Sequence, residues 1–299
     1  MKVLITGKNG QLGSELQAIC PDNVEALFTG SSELDISDSG AVEALLTEFK
    51  PDVVINPAAY TAVDNAETDQ QTAFKVNAQG PKNLALACKK IGANLIHIST
   101  DFVFDGSQNT PYQPDSKTNP VSVYGASKLE GEKAVSEILG ANATIIRTAW
   151  VYSRFGNNFV KTMIRLMQEK PQLGIVSDQI GTPTSAENLA KAIWALTPQL
   201  VNIESSKTND ESKAIIFHWS DLGTCSWYDF AVSIQELGLK YGLLEQEIPV
   251  APIMASQYPT PAKRPSYSVL DTSALREQLD FSGIHWRKAL DNVIASLTK

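Results

Sequence analysis

Only three cysteines and three histidines occur in 299 residues. Cys20, Cys88 and Cys225 are odd in number, widely separated and outside C-x-x-C spacing, which argues against a disulfide framework and against a cysteine metal site. His97, His218 and His285 also lack metal-ligand spacing, and His97 lies in an apolar, strand-like run where a core histidine is the simpler reading. No run of lysines or arginines is dense enough to follow a phosphate backbone. A net charge of -8 and a pI near 5.0 argue further against nucleic acid as a partner. No apolar stretch reaches the roughly 18 residues of a membrane-spanning helix, so no membrane partner is expected. The opening Met-Lys-Val-Leu-Ile-Thr-Gly reads as a strand and a glycine turn, not a secretory signal, and a cytoplasmic location follows as the expectation.

What is present is 43% hydrophobic content, enough for a large core with a smaller satellite. Apolar runs at residues 3–6, 24–28, 53–56, 94–100 and 144–151 alternate with helical patterns. The helices are expected to start near Gln11 and near Ser39, to cover residues 68–91, and to run from about Tyr124 to Leu139. Such runs, joined by long crossovers, predict an α/β fold: a doubly wound parallel sheet with helices on both faces. After Trp150 the elements shorten, separated by Gly156-Asn157-Asn158, Gly181-Thr182-Pro183-Thr184 and a proline-rich stretch at 249–265. A second, smaller α/β unit is therefore expected mainly within 151–299, with some segments returning to the unit at 1–150. Residues 202–213, rich in Ser, Asn and Lys, read as a surface loop.

Gly7-Lys8-Asn9-Gly10-Gln11-Leu12-Gly13 follows the first strand and opens the first helix. In that setting Gly7 permits the tight turn, Gly10 lets backbone N–H groups approach a pyrophosphate, and Gly13 allows close packing of helix on sheet. The helix N-terminus favours the negative charge. Residues 1–150 thus read as a dinucleotide-binding Rossmann domain, with Gly7, Asn9, Gly10, Gln11 and Leu12 against the cofactor. The end of the second strand reports which cofactor is bound, because an acidic residue there holds the ribose 2′-OH of NAD and repels a 2′-phosphate. Here Phe28 is followed by Thr29-Gly30-Ser31-Ser32, with neither carboxylate nor arginine. NADPH is the expected cofactor, with NADH left open.

The fourth predicted strand ends in Ser99, Thr100 and Asp101, where open parallel sheets place their chemistry. Downstream, Tyr124 and Lys128 lie four residues apart, on one face of a helix. A phenol has an unperturbed pKa of about 10, so a tyrosine that donates protons needs a neighbouring cation that favours phenolate, which Lys128 supplies. The expected chemistry is carbonyl reduction. Thr100 hydrogen-bonds the carbonyl, Tyr124 delivers the proton, Lys128 holds the cofactor ribose and lowers the tyrosine pKa, and the nicotinamide gives hydride.

The G-x-x-G-x-x-G and Y-x-x-x-K spacings resemble those of the short-chain dehydrogenase/reductase superfamily. Longer stretches narrow the resemblance to the dTDP-4-dehydrorhamnose reductase family: NPAAYTAVDNAE at 56–67, STDFVFDG at 99–106, VYGASK at 123–128, RTAWVY at 147–152, GNNFVKTM at 156–163, DQIGTPT at 178–184 and YPTPAKRP at 258–265. That resemblance implies reduction of the 4-keto group of a dTDP-4-dehydro-6-deoxy sugar in polysaccharide biosynthesis. It places Asp35 and Ile36 beside the adenine, Ala58, Ala59 and Tyr60 along the cofactor, and Asn77 in support of the pocket. It turns Thr100, Asp101, Val103, Tyr124 and Trp150 toward the deoxysugar, and offers Asn158 and Arg264 for sugar or diphosphate contact. Trp150 suits a sugar ring and equally a core; Arg264 suits phosphate and equally a surface ion pair. Some family members hold Mg²⁺ through glutamates at a homodimer contact. Glu15 and Glu187 match two such positions, but residues 292–299 contain no glutamate. Dehydratases of the superfamily place a glutamate after Thr-Asp, where this chain has Phe102, which leaves related reductases and epimerases as the nearest alternatives. From another class, relatives of the fold serve as non-catalytic, NADP-binding regulatory subunits of methionine adenosyltransferase, which have no need of an intact acid.

Overall fold

The computed structural model describes residues 1–201 and 213–298; of the stretch read as a surface loop, residues 202–212 lie outside the described residues. Five strands, β1 (Lys2–Ile5), β2 (Glu25–Phe28), β3 (Val53–Asn56), β4 (Asn94–Thr100) and β5 (Ala143–Thr148), join a late strand at Ile215–Trp219. All six are parallel, in the order Ile215–Trp219, β5, β4, β3, β1, β2. The chain starts in β1, steps out to β2, then crosses back to β3. The strand order therefore reverses between β1 and β3, and a crevice opens at their C-terminal ends.

The helices described are α1 (Gln11–Ala18), α2 (Ser39–Phe49), α3 (Val63–Ala66), α4 (Gln70–Phe74), α5 (Gly80–Ile91), α6 (Val123–Leu139), α7 (Phe159–Glu169), α8 (Ala186–Val201), α9 (Trp227–Lys240), α10 (Ser273–Leu279) and α11 (Trp286–Ser296). Because strand side chains alternate, each strand feeds two cores. Val3, Ile5, Val53, Ile55, Ile96 and Ile146 pack with Leu12 and Leu16 of α1 and with Leu189, Ile193 and Trp194 of α8. Leu4, Val54, Leu95 and Ile145 pack with Val42 and Leu46 of α2, Leu84 and Cys88 of α5, and Val135 and Leu139 of α6. Each of these buried aliphatic side chains contributes about 1.5–3 kcal/mol. A third core joins Tyr152, Met163 of α7, Phe230 and Ile234 of α9, and Trp286 and Leu290 of α11. Beside it, Leu173–Val176 pairs in parallel with Val250–Ile253.

Two elements differ from the sequence expectation. The helix expected over 68–91 is three segments, α4, a π turn at Lys75–Gln79, and α5. Pro81 has no N–H to give the Asn77 carbonyl, which faces Gly131 of α6 instead, so closely that a Cβ there would lie 2.2 Å from the Asn77 oxygen. The strand expected over 144–151 stops at Thr148, because Trp150 takes a φ of 47°. The chain resumes as Val151–Tyr152, paired with Thr184–Ser185.

Candidate active site

The crevice is a cavity of about 720 Å³ that runs from the glycine turn, past the ends of β3 and β4, to Trp150. At one end Gly7 has a φ of 60°, and a Cβ on it would lie 2.9 Å from the Ala58 Cα, so both the conformation and the close approach require glycine. Gly13 brings α1 onto this turn, since a Cβ there would meet the Gly7 oxygen at 2.2 Å. The Gly10 N–H bonds the Gly7 carbonyl at 3.0 Å, and α1 begins at Gln11 without a side-chain cap. Its first N–H groups, left without a side-chain cap, adjoin the cavity end lined by Gly7, Asn9, Gly10, Gln11 and Leu12, a setting suited to a diphosphate. Leu34, Asp35 and Ile36 line the adjoining wall, and Ala58 and Ala59 the floor.

Asn77, buried in the π turn, accepts from the Tyr60 N–H at 2.8 Å. It donates to the Tyr60 carbonyl and to Ser127 Oγ, both at 3.0 Å. This clamp fixes the loop after β3 against α6. Tyr60 and Asn77 therefore shape the wall from behind, while Ala58 and Ala59 form its surface. Below, Thr6 donates to Asn56 Oδ1 at 2.7 Å, and the Asn56 amide meets His97 Nδ1 at 3.1 Å. Burial holds the His97 pKa well below its usual value, so the ring is neutral.

At the other end α6 starts from Ser122, whose hydroxyl caps the Gly125 N–H at 3.2 Å. Tyr124 lies in the first turn and Lys128 one turn later, and both line the cavity. The Lys128 ammonium donates to the Ile98 carbonyl of β4 at 2.7 Å. Thr100 ends the same strand, and its hydroxyl donates to Asp101 Oδ1 at 3.0 Å. Burial pushes the Tyr124 phenol up to about 12; hydrogen bonding to Thr100 opposes this and the Asp101 charge adds to it. Burial pulls Lys128 down to about 8, with Glu132 opposing, and raises Asp101 to about 6. Burial of the phenolate thus works against the lowering of the tyrosine pKa expected from Lys128. Tyr124 is protonated across the neutral range, the state a proton donor needs.

The remaining expected residues fall in several places. Asp101 and Trp150 line the cavity. The Trp150 ring stacks on Trp227 with centroids 3.5 Å apart, and Gly181 leaves room for its other side, where a Cβ would come within 2.6 Å. Val103 is fully buried among Phe104, Tyr112 and Leu270, away from the lining. Asn158 donates to Gln11 Oε1 at 3.0 Å and caps α7 at the Lys161 N–H, which ties the glycine turn to α7. Arg264 pairs with Asp64 Oδ2 at 2.8 Å and also donates to Thr260 and the Ala262 carbonyl. Sequence reasoning passed over Thr148, whose buried hydroxyl lines the cavity without a protein partner, although its place at the end of β5 was a usable signal. It also passed over the buried pair of Arg147 and Glu132, which locks α6 to β5 at 2.7 Å.

Glu15 bonds Ser153 Oγ at 2.6 Å and pairs with Arg154, while Glu187 pairs with Lys191 at 2.6 Å. Both glutamates that match the family's Mg²⁺ positions are so engaged, and among the described residues no group of three or more His, Cys, Asp or Glu side chains is placed to hold a metal. Among them, too, no helix is long and apolar enough to cross a membrane.

Known proteins match this chain end to end. It is 38% identical over 297 residues to a dTDP-4-dehydrorhamnose reductase of Sinorhizobium fredii, covering 99% of this chain and 98% of that one. A crystal structure of a dTDP-4-dehydrorhamnose reductase from Clostridium acetobutylicum superposes with a TM-score of 0.90 at 42% identity, covering 100% of both chains. One from Bacillus anthracis, in complex with NADP, gives a TM-score of 0.88 at 34% identity, with 99% of both chains covered. The family model described as RmlD substrate binding domain matches residues 1–299, and the chain belongs to that family.

Proposed function

We propose that this protein is an NADPH-dependent oxidoreductase that reduces the 4-keto group of dTDP-4-dehydro-β-L-rhamnose to give dTDP-L-rhamnose. One observation carries the reading: Thr100, Tyr124 and Lys128 line the same cavity as the Gly7–Gly13 turn, and Lys128 is anchored to the strand that ends in Thr100. The relatives named dTDP-4-dehydrorhamnose reductase support it, and the NADP complex among them supports NADPH. They lend nothing to a regulatory-subunit reading.

The glycine turn and the start of α1 would hold the diphosphate of the cofactor, Ile36 and Asp35 would flank its adenine, and Lys128 would hold its nicotinamide ribose. When bound, the nicotinamide supplies hydride. Thr100 and Tyr124 hydroxyls bind the sugar carbonyl oxygen, and Tyr124 gives up its proton as negative charge grows there. The cost of burying a phenolate favours uptake of a fresh proton from solvent by Tyr124 once product forms. Trp150, held flat by Trp227, lines the end of the cavity where the sugar ring would sit. We assign the cofactor to the sheet unit, to which α8 and Ile215–Trp219 return, and the nucleotide sugar to the unit built mainly from residues after 150. The three unpaired thiols accord with a cytoplasmic location.

The test supplies dTDP-4-dehydro-6-deoxy sugar with NADPH or NADH, follows nicotinamide absorbance, and identifies the product by NMR. Oxidation of the cofactor with formation of dTDP-L-rhamnose is expected. Cofactor binding without oxidation would favour a regulatory role.

A further inference from the structure

The end of β2 has no acidic residue in sequence, yet the fold puts a carboxylate there. Glu33 turns back so that its Oε2 accepts from the Gly30 N–H at 2.7 Å. Its Oε1 lies 2.5 Å from the Lys8 ammonium, which comes from the glycine turn. The reason Gly30 is glycine lies in the same contacts: a Cβ there would be 2.7 Å from the Asn9 amide nitrogen and 3.0 Å from Glu33 Oε2. The space that a strand-end acid would fill is taken by Asn9 and Glu33. Gly30, Ser31 and Asn9 line the cavity, and the partly exposed Lys8–Glu33 pair adjoins them through the bond from the Gly30 N–H to Glu33. A second charged pair, Asp35 and Lys75, is longer at 4.0 Å, and Asp35 is already bonded to Ser37.

We propose that Lys8 and Glu33 form the element that selects between NADH and NADPH. Glu33 takes the part of the missing strand-end acid and accepts from the ribose 2′-OH of NADH. Lys8, released from Glu33, pairs with the 2′-phosphate of NADPH, while the Glu33 carboxylate repels it. The two charges oppose each other, so removing either one biases the choice. This inference rests on the dinucleotide reading of the cavity.

The experiment measures dissociation constants of NADPH and NADH separately, by quenching of protein fluorescence, for the wild type, Glu33→Gln and Lys8→Met. Glutamine keeps an acceptor for the Gly30 N–H, and both sites are exposed enough for the fold to survive, which circular dichroism checks. Charge removal near a phosphate at a partly exposed site changes affinity about five- to twentyfold. Glu33→Gln is expected to shift the affinity ratio toward NADPH by about that factor, and Lys8→Met to shift it toward NADH. Both shifts shrink at about 0.5 M salt, as screening requires. A ratio unchanged within about twofold in both variants, with both cofactors still bound, overturns the inference alone. Wild type that binds neither dinucleotide overturns the reading of the cavity and this inference with it.

Discussion

Lys128 Nζ lies 2.7 Å from the carbonyl oxygen of Ile98, which fastens the cation below Tyr124 to the strand that ends in Thr100. One hydrogen bond thereby fixes the relation between the helix that carries Tyr124, the proposed proton donor, and the strand that carries Thr100.

Burial lowers the Lys128 pKa from 10.5 to about 8. Below that value the ammonium is present; as pH rises through about 8 it is lost, and kcat/KM falls. Stability has the opposite sign over the same window. Between about 8 and 10.5 the unfolded chain binds more protons at this site than the folded one, so this residue makes the folded state gain stability as pH rises. Lys128→Met removes both dependences. Rate profiles and urea melts between pH 7 and 10 check this, and a wild-type melt insensitive to Lys128→Met across that range contradicts it.

Arg147 and Glu132 are paired at 2.7 Å with side chains only 3% and 4% exposed. Truncating one partner leaves the other charge buried and unmatched, at a cost of about 3–5 kcal/mol. Glu132→Ala is expected to destabilise by that amount, and Glu132→Leu with Arg147→Met together by far less than the sum. Equilibrium urea unfolding of the cycle decides; additive losses would mean that the pair is not coupled.

Asp64 accepts from both the Ala262 N–H and the Arg264 guanidinium, drawing the 260–264 loop onto α3 at the edge of the crevice. Asp64→Ala is expected to raise KM for the nucleotide sugar by about three- to tenfold, with cofactor affinity unchanged. An equal loss of cofactor affinity would place the effect elsewhere.

The five first strands were legible because each is a short, largely apolar run, buried on both faces except in the edge strand β2, and bounded by glycine, proline or a helical pattern. That Thr100, Tyr124 and Lys128 line one cavity was legible because a strand end and an i, i+4 helical pair are local patterns. The strand at Ile215–Trp219 was not, since it joins β5 only after the chain has left the sheet and returned. Long-range pairing also explains why Arg264 was left between phosphate and ion pair: its partner Asp64 lies 200 residues away. Glu33 escaped notice for a related reason, as a reader of the strand end looks at position 30 while the carboxylate arrives from three residues on. The break at Trp150 was hidden because a positive φ at tryptophan leaves no mark in an apolar run.

The most direct test is Tyr124→Phe, with turnover and NADPH affinity measured on the same preparation. Loss of the proton donor predicts turnover lower by about 10²–10⁴-fold with cofactor affinity within about threefold of wild type. Turnover equal to wild type would contradict the assignment of Tyr124 as the acid.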